Sequence, residues 1–161
     1  MKRLVWVAAL LLLAACPAKE LRPPEQVQFD LVGRIAARSG SEAFTGNVQW
    51  RHAGNGDEML ITTPLGQGVA RIVREGDAVQ LTTAEGKEFR APDSESLTER
   101  VLGFRLPLEG LADWVQGRPS PALEARGWKI EYQDYDAQKR PTRLRVTYPN
   151  LELRLAVSDW K

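Results

Sequence analysis

The sequence predicts a mainly β fold of the α+β class, one curved antiparallel sheet with short helices laid over one face. Three observations predict it. Apolar and polar residues alternate through most of the chain, the spacing of half-buried strands. Tight turns separate the alternating runs, and such turns join antiparallel neighbours, not parallel ones. The alternation yields to helical spacing only in the middle third, so helices there must cover a sheet contributed by both flanks.

The first element is an address and not part of that fold. Lys2 and Arg3 precede an apolar run from Leu4 to Leu13, followed by Ala14, Ala15 and Cys16. This is the layout of a secretory signal, and the run is shorter than the roughly 20 residues of a membrane-spanning helix. Leu13-Ala14-Ala15-Cys16 resembles a bacterial lipobox. The resemblance implies that the Cys16 thiol receives a diacylglyceryl group, that the chain is cut before it, and that the new amino group is acylated. The other reading is an ordinary cleavable signal with a coincidental cysteine, although Cys16 is the only one in the chain. Pro17 stands where an aspartate usually signals inner-membrane retention in Gram-negative lipoproteins, which by the same resemblance points to the periplasmic face of the outer membrane. Two or more acyl chains hold a protein stably where one is marginal. Residues 1–15 are therefore expected to be a lipoprotein signal peptide, and 16–27 the lipidated N-terminus with a tether extended by Pro17, Pro23 and Pro24. Residues 28–161 are expected to form one domain.

The strands follow in order. Phe29, Leu31, Gly33, Ile35 and Ala37 alternate with more polar neighbours, and Ser39-Gly40-Ser41 turns the chain into Phe44, Gly46, Val48 and Trp50. His52 to Asp57, containing Gly54-Asn55-Gly56, reads as the next turn. Glu58 to Thr63 and Val69 to Arg74 are short strands around a Pro/Gly loop. Glu75-Gly76-Asp77 leads into Val79 to Thr83, and Glu85-Gly86-Lys87 into Glu88 to Arg90. These hairpins make a meander.

The period then changes. Ser96 and Glu99 have the spacing of a capping box, and Gly103 is placed to end a short helix. Leu108, Leu111, Ala112 and Val115 fall at i, i+3, i+4 and i+7, with Gly117 and Pro119 as stop signals. Gly110 weakens that helix by up to ~1 kcal/mol. Strands resume with Trp128, Ile130 and Tyr132, then Leu144, Val146 and Tyr148, and end with Leu151, Leu153, Leu155 and Val157 beyond the Pro149-Asn150 turn. If the sheet curls, the part its helices leave uncovered is an apolar concavity, which periodicity alone leaves either filled by side chains or open.

Composition narrows the function. With 161 residues, a net charge of +1 and 27% charged residues of mixed sign, the chain has no basic field for nucleic acid. One cysteine and one histidine exclude a Cys-based zinc cluster and disfavour a His-containing triad, and no Gly-Lys phosphate cradle occurs. The possible carboxylate pairs are Asp57-Glu58, Glu95 with Glu99, and Asp134 with Asp136. Each falls in a turn, at a helix start or at a strand end, so they are expected to be solvated surface, as are His52 and Arg34. The reading is a protein that is not an enzyme and uses neither metal nor cofactor.

The order of several short features resembles one family. Gly33-Arg34 in a strand is followed by Gln49-Trp50, Thr63-Pro64-Leu65-Gly66, Leu106-Pro107-Leu108, Trp114 with Gly117, Gly127-Trp128 and a Leu-rich strand ending in Asp159-Trp160. Behind a lipobox, from Gln28 to Trp160, this resembles the LolB family. The resemblance implies a LolA/LolB-like half-barrel sheet capped by helices, with an apolar cavity for acyl chains. It implies an outer-membrane-anchored monomer that takes acylated lipoprotein cargo from a LolA-type periplasmic carrier and inserts it into the outer membrane. It also implies a protruding loop with an exposed leucine active in delivery. That role falls on Leu65, flanked by Pro64 and Gly66; without the resemblance, Leu65 reads as a hairpin-tip side chain folded back on the domain. Leu31, Ile35, Val48, Trp50, Leu60 and Trp114 are the candidates for the acyl-chain cavity, chosen by alternation or by size. Trp128 and Trp160 join them as wall or core. Two other classes remain beside this one: an envelope lipoprotein that binds lipid, glycan or peptide as an assembly or sensor module, and a hydrolase using carboxylates.

Overall fold

The computed structural model describes residues 26–161. The expected signal peptide, Cys16 and nearly all of the tether lie outside the described residues. Nine strands form one antiparallel sheet: β1 (Val27–Ser39), β2 (Glu42–Ala53), β3 (Gly56–Thr62), β4 (Gly68–Glu75), β5 (Ala78–Thr83), β6 (Glu88–Ala91), β7 (Lys129–Tyr135), β8 (Pro141–Tyr148) and β9 (Leu151–Trp160). Between β6 and β7 run α1 (Ser94–Leu102), α2 (Leu108–Val115) and α3 (Pro121–Ala125).

The spatial order β6-β5-β4-β3-β2-β1-β9-β8-β7 shows two meanders sewn together where the last strand pairs with the first. Register carries one apolar row across seven strands: Trp160, Leu31, Trp50, Met59, Ile72, Leu81 and Phe89 are successive cross-strand partners. Cross-strand partners share a face, so a long sheet that alternates in phase presents a continuous apolar side. The ladder between β1 and β9 shifts register at Val32/Gly33, the kind of irregularity that bends and twists a sheet.

The helices close over that side. α1 is capped by Asp93, whose carboxylate accepts from the Ser96 N–H at 2.7 Å, and it ends at Gly103 in a left-handed conformation (φ 80°). The expected Ser96/Glu99 capping box is therefore corrected: the cap lies three residues earlier, and Ser96 donates to it. α2 spans the expected residues and buries Leu108, Leu111, Ala112, Trp114 and Val115. Gly110 has a packing reason, because a Cβ there would lie 2.5 Å from Leu123 Cγ, where α3 leans on α2. α3 was not expected. Its five residues show no helical period, although Pro121 in the first turn is a known start signal.

One buried cluster draws side chains from β1–β5, β8, β9 and all three helices. Val27–Trp160 thus shares one hydrophobic core. No helix among the described residues is long and apolar enough to cross a membrane.

Candidate functional site

The concave face carries most of the residues expected there. Leu31, Val48, Trp50 and Trp114 are buried, and Ile35 packs half-buried against them. Leu60 is a correction: it is 41% exposed and lies on the convex face. Met59-Leu60-Ile61 is a run of three apolar residues that fits either phase of a strand, and the pairing of Met59 with Trp50 sets the phase. The helices span the opening of the curled sheet. α1 touches β5 and β6 on one side. Toward the other edge, the Tyr132 hydroxyl on β7 donates to the Trp114 carbonyl at 2.9 Å.

Four tryptophans furnish this interior, and their indole N–H groups differ. Trp50 donates to Asp57 Oδ1 at 2.8 Å. The buried indole nitrogens of Trp114, Trp128 and Trp160 have no hydrogen-bond partner. Trp128 lies just before β7 and stacks on Tyr148 at 4.6 Å, while Trp160 meets Phe29 edge-on at 6.0 Å.

The expectation of a solvated turn at His52 and Asp57 is overturned. The turn is only Gly54-Asn55, so His52 belongs to β2 and Asp57 to β3, and both are buried. Register sets His52, Asp57 and Arg74 side by side on three neighbouring strands. Asp57 Oδ2 accepts from Arg74 Nε at 2.7 Å, and Oδ1 accepts from His52 Nδ1 at 2.8 Å. A carboxylate only accepts, so His52 carries its proton on Nδ1. Burial pushes the Asp57 carboxyl up, but the hydrogen bonds from His52 and Trp50, with the charge and hydrogen bond of Arg74, outweigh it and hold the group below the ordinary carboxylate value. Such a group stays ionised and serves as a brace. Arg74 also donates to the Gly76 carbonyl at 2.9 Å and faces Glu109 of α2 at 3.7 Å.

Four of the other candidate carboxylates are taken up by arginines. Glu58 pairs with Arg71, Glu95 with Arg126, Glu99 with Arg105, and Asp136 with Arg140. Asp134 and Arg34 are exposed, as expected.

The β3–β4 connection is built to project. Gly66 N–H donates to the Thr63 carbonyl at 2.9 Å, closing a turn with Pro64 and Leu65 at its centre, and Thr63 N–H donates to the Gln67 carbonyl at 2.8 Å. Gly66 follows in the left-handed region (φ 85°), which is how a three-residue hairpin loop returns to register. The Asn47 amide ties the base by donating to the Thr63 carbonyl at 3.1 Å. Leu65 is 90% exposed, so it is not folded back on the domain. This tip lies at the end of the sheet that also holds the β1–β2, β5–β6 and β8–β9 turns, and the His52–Asp57–Arg74 cluster lies toward the other end.

A family model described as outer membrane lipoprotein LolB matches residues 27–160. The chain is 37% identical to the outer-membrane lipoprotein LolB of Thiobacillus denitrificans, over 100% of this chain and 98% of the relative. It is 33% identical to the LolB of Azoarcus sp., over 93% and 90% of the two chains. A crystal structure of a LolA superfamily protein from Nitrosomonas europaea aligns with a TM-score of 0.49 and 15% identity over 88% of each chain.

Proposed function

The chain belongs to the LolB family, and we propose that it is the outer-membrane-anchored acceptor that takes lipoproteins from a LolA-type periplasmic carrier and inserts them into the outer membrane. The observation that carries this reading is the match of the family over the whole folded domain, residues 27–160. Leu65, 90% exposed at a hydrogen-bonded hairpin tip on the same sheet as the apolar concave face, supports it. The family traffics lipoproteins, and no catalytic step is required of this chain.

The physics of the task is solvation. An acyl chain of ~14 methylenes exposed to water costs about 11 kcal/mol, at about 0.8 each. A protein interior that takes the chain removes most of that barrier. In this reading Leu31, Ile35, Val48, Trp50 and Trp114 form the wall against which cargo chains lie. Cys16, lipidated, holds the domain at the acceptor membrane and gives the hand-over its direction. Pro64, Leu65 and Gly66 form the membrane-contacting tip. Burying a leucine gains ~1.5–3 kcal/mol, enough for transient entry into lipid and too little to lock the loop there.

The test is transfer. Carrier loaded with a labelled lipoprotein is mixed with outer-membrane vesicles, with and without this protein. Label should move into the membrane fraction only when the protein is present. Label that stays on the carrier, or leaves it equally without the protein, rejects the function.

A further inference from the structure

Buried polar groups in folded proteins are nearly always hydrogen-bonded, and a buried donor without an acceptor calls for an explanation. This interior holds three such donors of one kind, the indole N–H groups of Trp114, Trp128 and Trp160. Trp114 and Trp128 are 1% and 2% exposed. The fourth tryptophan shows that the fold supplies an acceptor where one serves stability, since Trp50 has Asp57. The three orphans come from α2, from the residue before β7 and from the end of β9, so they belong to the helical cover and the β7–β9 side of the interior. The braced cluster lies on β2, β3 and β4 instead.

An indole nitrogen only donates, so whatever completes it must bring an acceptor. The surroundings restrict that acceptor further. The arginines nearest these tryptophans are already held by carboxylates: Arg140, over the Trp160 ring at 5.4 Å, by Asp136, Arg126 by Glu95, and the interior Arg74 by Asp57. An anion brought here would have to shed its hydration and compete with those carboxylates for a countercharge, whereas a neutral carbonyl is desolvated at far smaller cost. The chemistry that fits is an uncharged carbonyl at the head of a long hydrocarbon chain. We propose that the unpartnered indole N–H groups, Trp114 and Trp128 foremost, donate to the ester carbonyls joining the cargo's acyl chains to its glyceryl group. The site then reads the acyl–glycerol linkage as well as the hydrocarbon, and it favours diacylglyceryl groups over ionised fatty acids. This inference rests on the acyl-chain reading of the interior given above.

The experiment separates the two. The domain Val27–Lys161, isotope-labelled at its indole nitrogens, is loaded with an environment-sensitive acyl probe. The probe is displaced by dioctanoylglycerol, by the diether of the same chain length, and by octanoate. The diester should bind about three- to ten-fold more tightly than the diether, the scale of one or two net hydrogen bonds. It should also shift the indole N–H resonances of Trp114 and Trp128, which the diether leaves in place. The double variant Trp114→Phe/Trp128→Phe leaves a smaller aromatic ring at each position and removes the donors; with its fold confirmed by circular dichroism, it should bind diester and diether with equal affinity. Equal affinity of the wild-type domain for diester and diether overturns the inference and leaves the acyl-chain reading standing, and this comparison needs no variant. A preference for octanoate, or an ester preference that survives in the double variant, also overturns it. Failure of every ligand to bind overturns the acyl-chain reading, and this inference with it.

Discussion

Strand β3 belongs to two hairpins whose ends are built on opposite plans. At its start, Asp57 is buried among His52, Trp50 and Arg74, and every polar atom in contact is matched. Past its end, the β3–β4 turn holds its backbone by four hydrogen bonds, one of them from the Gln67 N–H to Thr63 Oγ1, and leaves the Leu65 side chain touching almost nothing. One end spends polar residues inside, and the other puts an apolar residue outside. Each inverts the usual partition, for different reasons. The interior charges fix how three strands and α2 sit against one another, and the exterior leucine is left for an apolar surface the domain does not itself supply.

The contrast breaks most visibly at Asp57. Asp57→Ala strands a buried guanidinium and leaves two further donors without an acceptor, so it should destabilise the domain by about 3–5 kcal/mol, read as a lowered urea midpoint. An unchanged midpoint would mean that the cluster braces nothing.

A smaller effect should come from acid. Because the folded Asp57 carboxyl sits below its ordinary value, the unfolded chain binds a proton near pH 4 that the folded chain still refuses. The stabilisation is therefore complete at neutral pH and drains away as pH falls below about 4 toward the folded pKa, at up to about 1.4 kcal/mol per pH unit for this one group. Unfolding free energies measured between neutral pH and pH 3 should show the loss in the wild type, and Asp57→Asn should flatten that part of the curve.

The smallest stability effect belongs at the other end of the strand. Leu65→Glu should change the unfolding free energy, measured in urea, by less than about 0.5 kcal/mol, since the side chain packs on nothing. It should accept cargo from the carrier normally, yet slow insertion into vesicles by at least about ten-fold, because a charged group is disfavoured in the acyl region. Equal loss of acceptance and insertion, or intact insertion, removes the membrane role from this residue.

How far the sequence discloses this arrangement depends on the range of the interaction. Periodicity is local, so the strands and α2 are legible in it, and so is the projecting turn, whose Pro64 and Gly66 state its geometry within four residues. Phase is not local where apolar residues run together, so Leu60 fits the inward face by alternation and only the pairing with β2 turns it outward. His52 and Asp57 look like solvated turn residues beside Gly54-Asn55-Gly56. What buries them is Arg74, 17 residues further on, delivered by register through β3 and β4. α3 is too short to show a period. The tryptophans are visible as wall or core, but whether an indole finds an acceptor is settled only by the assembled interior.

The seam between the two meanders bears on how the protein is made. Among the described strands β1 is the first to be synthesised and β9 the last, and they are neighbours. Until β9 has emerged, one side of β1 has no strand to pair with, and the ladder that joins the halves must wait for it. Pairings this distant in sequence slow the folding step that forms them. Meanwhile an unpaired strand edge invites other chains. Arg34 and Arg38, standing along β1, put charge beside that edge during the wait, the usual protection for a strand without its neighbour.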